Sequence, residues 1–236
     1  MVKHPTFKLE DVNKLYNNIN SARSALKRML ESGKVFKIRR NLYTCVNPES
    51  GGPVANRFQI ASAINDSAYV SHHSAMEYYG ISNQVMYEVY VSSETRFRDF
   101  DFDGYTYRYI QSHLSEGVIK PVFSGGIRLT DMERTLVDCM KDMDKIGGLE
   151  ECMDNIRSIV SVNEDILLYY LSLYDNQFLY QKAGYLLWEC RKRLGLTAKF
   201  FKTCRSKIGK SKRYLTRDVV RGVYIDDWRL IVPENL

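Results

Sequence analysis

Residues 21–46 read SARSALKRMLESGKVFKIRRNLYTCV, and this stretch decides the fold expected for the start of the chain. Ala22, Ala25, Leu26, Met29 and Leu30 recur at i, i+3, i+4, i+7 and i+8, the apolar stripe of an amphipathic helix over Ser21–Ser32. The opposite face offers Asn20, Arg23, Ser24, Lys27, Arg28 and Glu31, and Gly33 stands where a helix ends. Next, Phe36 and Ile38, then Leu42, Thr44 and Val46, alternate as two strands joined around Arg39-Arg40-Asn41, with Asn41 able to take a positive φ. Upstream, Leu9, Val12, Leu15 and Tyr16 follow a helical period. The run Asn17-Asn18-Ile19-Asn20 then breaks it, leaving Ile19 to the core and Ser21 or Asn20 to cap the second helix.

Helix, turn, basic amphipathic helix and basic-tipped hairpin make up the order of a winged helix-turn-helix over residues 1–47. Its recognition helix is Ser21–Ser32 and its wing is 34–46. Ser21 and Ser24 are placed to approach bases, and Arg23, Lys27 and Arg28 to reach base edges or phosphates. Lys37, Arg39 and Arg40 would supply phosphate or minor-groove contacts from the wing. The competing reading is a small α+β cap whose basic face serves solubility.

The 236 residues, 44% hydrophobic and 26% charged, suit a folded globular chain with one large or two ordinary domains. No stretch approaches the ~18 uncharged apolar residues of a membrane span. The start, MVKHPTFKLED, is polar where a leader peptide turns apolar, so a cytoplasmic address is expected. Cys45, Cys139, Cys152, Cys190 and Cys204 are scattered and odd in number, which favours free thiols over zinc or a disulfide framework.

Charge is unevenly placed. Residues 1–47 carry ten Lys/Arg against three Asp/Glu, residues 48–188 eleven against twenty, and residues 189–221 twelve against two. Basic ends around an acidic middle fit a protein that presents chosen faces to a polyanion, although solvated helix faces produce similar runs. A second basic surface is therefore expected from Arg191, Lys192, Arg193, Lys199, Lys202, Arg205, Lys207, Lys210, Lys212 and Arg213.

Asn-Pro-Glu-Ser-Gly-Gly-Pro at 47–53 reads as the domain boundary. Beyond it the pattern is mixed α+β, strand-rich over 54–130 and helical over 131–221. Helices are expected at 54–64, 71–79 (capped by Ser71, ended by Gly80), 131–140, 149–159, 163–174, 178–194 and 197–204. Strands are expected at 68–70, 86–92, 104–110 and 121–129, the last interrupted by Gly125-Gly126.

Catalytic signals are weak, and no enzyme activity, cofactor or metal is expected. Ser71-His72-His73-Ser74 invites a metal or nucleophile–base reading, but adjacent histidines on a helix point about 100° apart. A helix start with one buried, hydrogen-bonded His is the simpler reading. Asp99, Asp101 and Asp103 fit an approach to a hairpin turn at Asp103-Gly104 better than a cation site. Arg134 and Asp138 read as an i, i+4 ion pair, with Thr130 or Asp131 capping that helix.

Three ordered motifs together resemble a family. They are Lys37-Ile38-Arg39-Arg40-Asn41-Leu42-Tyr43, Tyr69-Val70-Ser71-His72-His73-Ser74-Ala75-Met76-Glu77-Tyr78-Tyr79-Gly80-Ile81 and Asp131-Met132-Glu133-Arg134-Thr135-Leu136-Val137-Asp138. The chain resembles AbiEi-like antitoxins of type IV toxin–antitoxin (abortive-infection) modules. It departs from them at Asn41, where the family has a wing glycine, and at His73, where an apolar residue is common. The resemblance implies an amino-terminal domain that binds the operator of its own operon as a repressor. It also implies a carboxy-terminal domain that counters a nucleotidyltransferase toxin without requiring a stable complex. Two other readings stand beside it. One is a metal-dependent nuclease using Asp99, Asp101 and Asp103 or Glu133 and Asp138. The other is a ligand-sensing regulator with the Tyr105–Tyr109 strand as pocket wall.

Overall fold

An Asn-Asn step sets the geometry of the amino-terminal segment. In this computed structural model, which describes residues 5–82, 84, 86–217, 219 and 221–234, Asn17 is left-handed (φ 51°) and ends helix α1 (Leu9–Tyr16). Part of the polar start read for a leader, residues 1–4, lies outside the described residues. The Asn18 side chain accepts from the Asn20 and Ser21 N–H groups and starts α2 (Ile19–Glu31). The cap therefore lies before the expected Asn20 or Ser21. Ile19 becomes a helical residue and is exposed rather than given to the core.

Strands β1 (Val35–Arg39) and β2 (Leu42–Cys45) follow as an antiparallel hairpin, with Asn41 at φ 57° as expected. A register shift between Lys37 and Arg39 breaks the simple alternation, so Val35 and Ile38 are buried while Phe36 is half-buried. Phe7, Val12, Ala22, Leu26 and Val35 form the local core. Leu15 (67% exposed) and Tyr16 (46%) stay outside it, because two turns of helix can present only one narrow face to a partner.

The expected linker at 47–53 is a closed turn. The Asn47 N–H donates to the Gly52 carbonyl (2.8 Å) and the Val54 N–H to the Cys45 carbonyl (2.9 Å), with Gly51 at φ 71°. Accordingly the chain does not divide at this segment. Its two compact units are 1–74 with 85–130, and 75–84 with 131–236.

The first unit adds α3 (Arg57–Ala63) and a six-stranded mixed sheet. The sheet is built from β3 (Tyr69–Val70), β4 (Glu88–Ser93), β5 (Phe100–Phe102), β6 (Tyr105–Gln111), β7 (Val118–Ile119) and β8 (Leu129–Thr130), in the order β5-β6-β4-β3-β8-β7. Asp103 (φ 52°) and Gly104 (φ 78°) form the two-residue turn expected between β5 and β6. The strand expected at 121–129 is a loop for most of its length. Phe123, Gly125 and Gly126 all take positive φ, which a strand cannot hold, and pairing resumes only at Leu129.

The boundary between units falls inside α4 (His72–Tyr78). The second unit holds α5 (Met132–Lys141), α6 (Leu149–Ser158), α7 (Glu164–Tyr174), α8 (Gln177–Trp188), α9 (Arg191–Leu194) and α10 (Ala198–Lys207). The single helix expected over 178–194 is thus two, separated at Glu189-Cys190. Three strands, β9 (Arg213–Tyr214), β10 (Gly222–Ile225) and β11 (Leu230–Pro233), close the unit in the order β10-β11-β9. They correct the all-helical reading of 131–221 and fill the unread end. Gly184 in α8 leaves no room for a Cβ against the Trp228 ring, so a glycine permits that close approach. The fold is mixed α+β. No helix among the described residues is long and apolar enough to cross a membrane.

All five cysteines are free thiols. Cys139, Cys152 and Cys204 are buried in the second unit, and desolvation pushes the Cys152 and Cys204 thiols up to about 12 and Cys139 in the same direction. Since the thiolate is the nucleophile, titration of the native protein with a thiol reagent at pH 8 is expected to modify at most the half-buried Cys45 and Cys190. All five react once denaturant is added. Fast reaction of a third thiol in the native state would contradict this packing.

Candidate nucleic-acid interface

Helix α2 has two chemically distinct sides. Ala22, Ala25 and Leu26 are buried, while Ser21, Arg23, Ser24, Lys27 and Arg28 are all exposed. Lys27 lies 3.7 Å from Glu31 one turn on, an exposed pair that contributes little and leaves the ammonium accessible. Lys37 and Arg40 on the hairpin are exposed as well.

Arg39 is placed differently. Its guanidinium carbon sits 5.0 Å from the Phe100 ring centroid and 5.4 Å from that of Phe97. Phe100 in turn stacks on Tyr107 at 4.7 Å, and Phe97 meets Tyr109 edge-on at 5.3 Å. Desolvation lowers the Arg39 pKa, and its Nη1 is buried without a hydrogen-bond partner. The side chain thus fastens the hairpin onto the β5–β6 end of the sheet, an attachment reinforced by Phe36 against Phe102. No local sequence signal marks this contact, because the aromatic partners lie far along the chain. Asn41 makes a second tie. Its carbonyl oxygen accepts from the Leu9 N–H (3.0 Å) and its amide donates to Glu10 (3.1 Å); a backbone hydrogen bond, and after it this one from Asn41, lowers the Glu10 pKa. The residue that replaces the expected wing glycine therefore connects the hairpin turn to the start of α1.

The other singled-out groups fall into separate hydrogen-bond sets. Ser71 Oγ lies 2.7 Å from Ser92 Oγ and 2.9 Å from His72 Nδ1, all buried, and His72 is left-handed at φ 53°. Ser74 Oγ accepts from the Tyr90 N–H. This segment joins α4 to β4, with both histidines enclosed. Asp99 accepts from the Tyr109 N–H and pairs with Arg108, Asp101 accepts from Thr106, and Asp103 forms the turn. Tyr105, Tyr107 and Tyr109 are engaged with Arg57, Phe100 and Phe97 respectively. Among the described residues, no three His, Cys, Asp or Glu side chains are grouped closely enough to hold a metal ion.

The 131–138 motif is a clamp within the second unit. Asp131 caps α5 by accepting from the Arg134 N–H, and accepts from the Tyr170 hydroxyl as well. Glu133 accepts from the Asn163 N–H at the start of α7. Arg134 and Asp138 form the expected pair, 2.9 Å apart and each 2% exposed, with the Tyr174 hydroxyl also donating to Asp138.

The basic carboxy-terminal residues divide into two groups. Arg193 donates to the Ile156 and Ile159 carbonyls at the end of α6, Lys199 pairs with Asp165, Arg205 pairs with Asp227, and Arg191 and Lys212 lie over Trp188 and Tyr224. Lys192, Lys202, Lys207, Lys210 and Arg213 are exposed and, among the described residues, in no ion pair.

No protein-family model matches the chain, and no curated protein matches it. Among solved structures the chain is similar to the RV2827C protein of Mycobacterium tuberculosis. The TM-score is 0.65 at 14% identity, over 96% of this chain and 86% of that one. At this identity the likeness describes the fold.

Proposed function

We propose that the chain is a double-stranded DNA-binding repressor whose first 47 residues act as a winged helix-turn-helix. The observation that carries this reading is the α2 surface, where three cations and two hydroxyls share the side opposite a buried apolar stripe. With the turn at Asn17, α1 and α2 form the helix-turn-helix and β1–β2 the wing. Arg23, Lys27 and Arg28 face the major groove with Ser21 and Ser24, while Lys37 and Arg40 contact phosphates. Arg39 is reassigned from DNA contact to holding the wing in place.

The three motifs shared with AbiEi-like antitoxins extend the reading. The chain would repress its own operon in the cytoplasm and counter a nucleotidyltransferase toxin, acting without catalysis of its own. Fluorescence anisotropy with a duplex taken from upstream of its own reading frame tests the DNA-binding part. Binding at least ~10³-fold tighter than to a scrambled duplex is expected, and equal affinity for the two would remove the repressor reading. Co-expression with the neighbouring nucleotidyltransferase tests the antitoxin part, with rescued growth as the expected result.

The two wing arginines are expected to separate. Arg40→Ala lowers the slope of log affinity against log salt by about 0.9 with an unchanged melting temperature. Arg39→Ala leaves that slope intact and costs about 1–2 kcal/mol of stability through its lost contacts with Phe97 and Phe100. If Arg39→Ala flattens the salt slope as Arg40→Ala does, the assignment of Arg39 to packing is wrong.

A further inference from the structure

The second unit contains a cavity of about 480 Å³ that the DNA-binding reading does not use. Its volume lies in the range of about 300–1,000 Å³ typical of small-ligand sites. Tyr185, Trp188, Tyr224 and Trp228 supply aromatic walls, and Glu189, Asp226 and Asp227 supply carboxylates. Asp227 is held by Arg205 at 2.8 Å, whereas Glu189 and Asp226 are in no ion pair among the described residues. Trp188 is 40% exposed and also lines an adjoining 230 Å³ recess with Arg191, Lys192, Thr197 and Arg205. Lys212 lies over the Tyr224 ring at 4.6 Å, and Arg157 lines the main cavity.

The geometry points to a binding site for an unpaired nucleotide of a single-stranded nucleic acid, its base between the aromatic walls and its phosphates toward the basic rim. Every base offers a π-face to aromatic rings, so the exposed Trp188 and Tyr224 serve for stacking, while Trp228, 3% exposed, is already packed between Gly184 and Arg205. A carboxylate accepts hydrogen bonds only, so Glu189 and Asp226 select bases with donor groups. Guanine presents two adjacent donors, N1–H and the 2-amino group, and fits best. Uracil, flanked by carbonyl oxygens at its one N–H, fits worst. Aromatic rings with carboxylates could also cage a simple organic cation. The cavity itself is lined by Arg157, paired with Asp154 at 3.1 Å, and three carboxylates, while Arg191, Lys192 and Arg205 line the adjoining recess and Lys212 lies over the Tyr224 ring. Those cations beside an acidic pocket give a phosphate a place next to the base, which a simple cation would not use.

The chain has two tryptophans, and both line this cavity. Intrinsic fluorescence of the full chain therefore reports on the site directly. Titration with GMP, CMP, AMP and UMP, and with single-stranded oligonucleotides of each base, is expected to give saturable quenching that is strongest for guanine and weakest for uracil. Tyr224→Ala is expected to weaken binding about tenfold or more. Glu189→Gln with Asp226→Asn removes the base preference, and Lys192→Ala with Lys212→Ala flattens the salt dependence. Each variant is checked by its melting curve, and all five positions are exposed, which favours retention of the fold. The proposal is overturned by absence of quenching with every nucleotide, by equal quenching for all bases that the carboxylate variant leaves unchanged, or by quenching with arginine methyl ester instead. Duplex binding through residues 1–47 is read separately by anisotropy, so failure here and failure of the repressor reading are told apart.

Discussion

Asp138→Ala is expected to lower the stability of the second unit by about 3–5 kcal/mol, the cost of removing one member of a buried ion pair. The Arg134 guanidinium would remain 2% exposed with its carboxylate gone, and the Tyr174 hydroxyl would lose its acceptor. A domain is stable by only about 5–15 kcal/mol, so a large fall in the urea midpoint should follow. A matched apolar pair, Arg134→Met with Asp138→Leu, is expected to recover much of the loss, because neither charge then needs burial. A single substitution costing less than about 1 kcal/mol would mean that the pair is more hydrated than the structure shows. The prediction also bears on function. Under the proposed antitoxin reading, the 131–138 segment would act by holding α5 against α7, and its substitution would reduce activity through folding.

Removing the three cations of α2 is expected to give the second large effect. Arg23→Ala, Lys27→Ala and Arg28→Ala together should reduce the slope of log affinity against log salt by about 2.7, at roughly 0.9 for each phosphate contact. Affinity for duplex DNA should fall roughly 100-fold or more, at about 1 kcal/mol for each charge-assisted hydrogen bond lost. All three side chains are exposed and only Lys27 has a charged neighbour, at 3.7 Å, so the melting temperature should move little. Anisotropy and thermal melts on the same preparation separate these quantities. Undiminished DNA binding in a folded triple variant would falsify α2 as the reading helix.

Much of the local structure was legible because local chemistry dictated it. Asp131 caps the helix that it or Thr130 was expected to cap, and Asp103-Gly104 turns the chain where two residues must accept positive φ. The apolar stripe of α2 was legible for the same reason, since its period and its burial have one geometric cause. Misreadings came where a local signal had two structural outcomes. Pro48, Gly51, Gly52 and Pro53 announced a change of direction, which a linker and a closed turn both need, and only the hydrogen bonds back to Cys45 and Asn47 distinguish them. Short runs such as Val223–Ile225 and Leu230–Val232 carry too few residues to show a period, so the terminal sheet emerged only through pairing.

For the candidate interface, the sequence by itself determined which residues form its basic side, because helical periodicity places Arg23, Lys27 and Arg28 opposite Ala22, Ala25 and Leu26 in any packed context. It could not determine what each hairpin arginine does. Arg39 and Arg40 are adjacent and chemically identical, yet one lies over Phe97 and Phe100 while the other is exposed. Arg39 ends β1 and Arg40 stands in the turn, so their side chains leave in different directions, and which direction meets a partner depends on where distant strands come to lie. Tertiary structure decided that assignment, and likewise gathered Trp188, Tyr224 and Trp228 around one cavity, since long-range packing alone brings residues so far apart in sequence into contact.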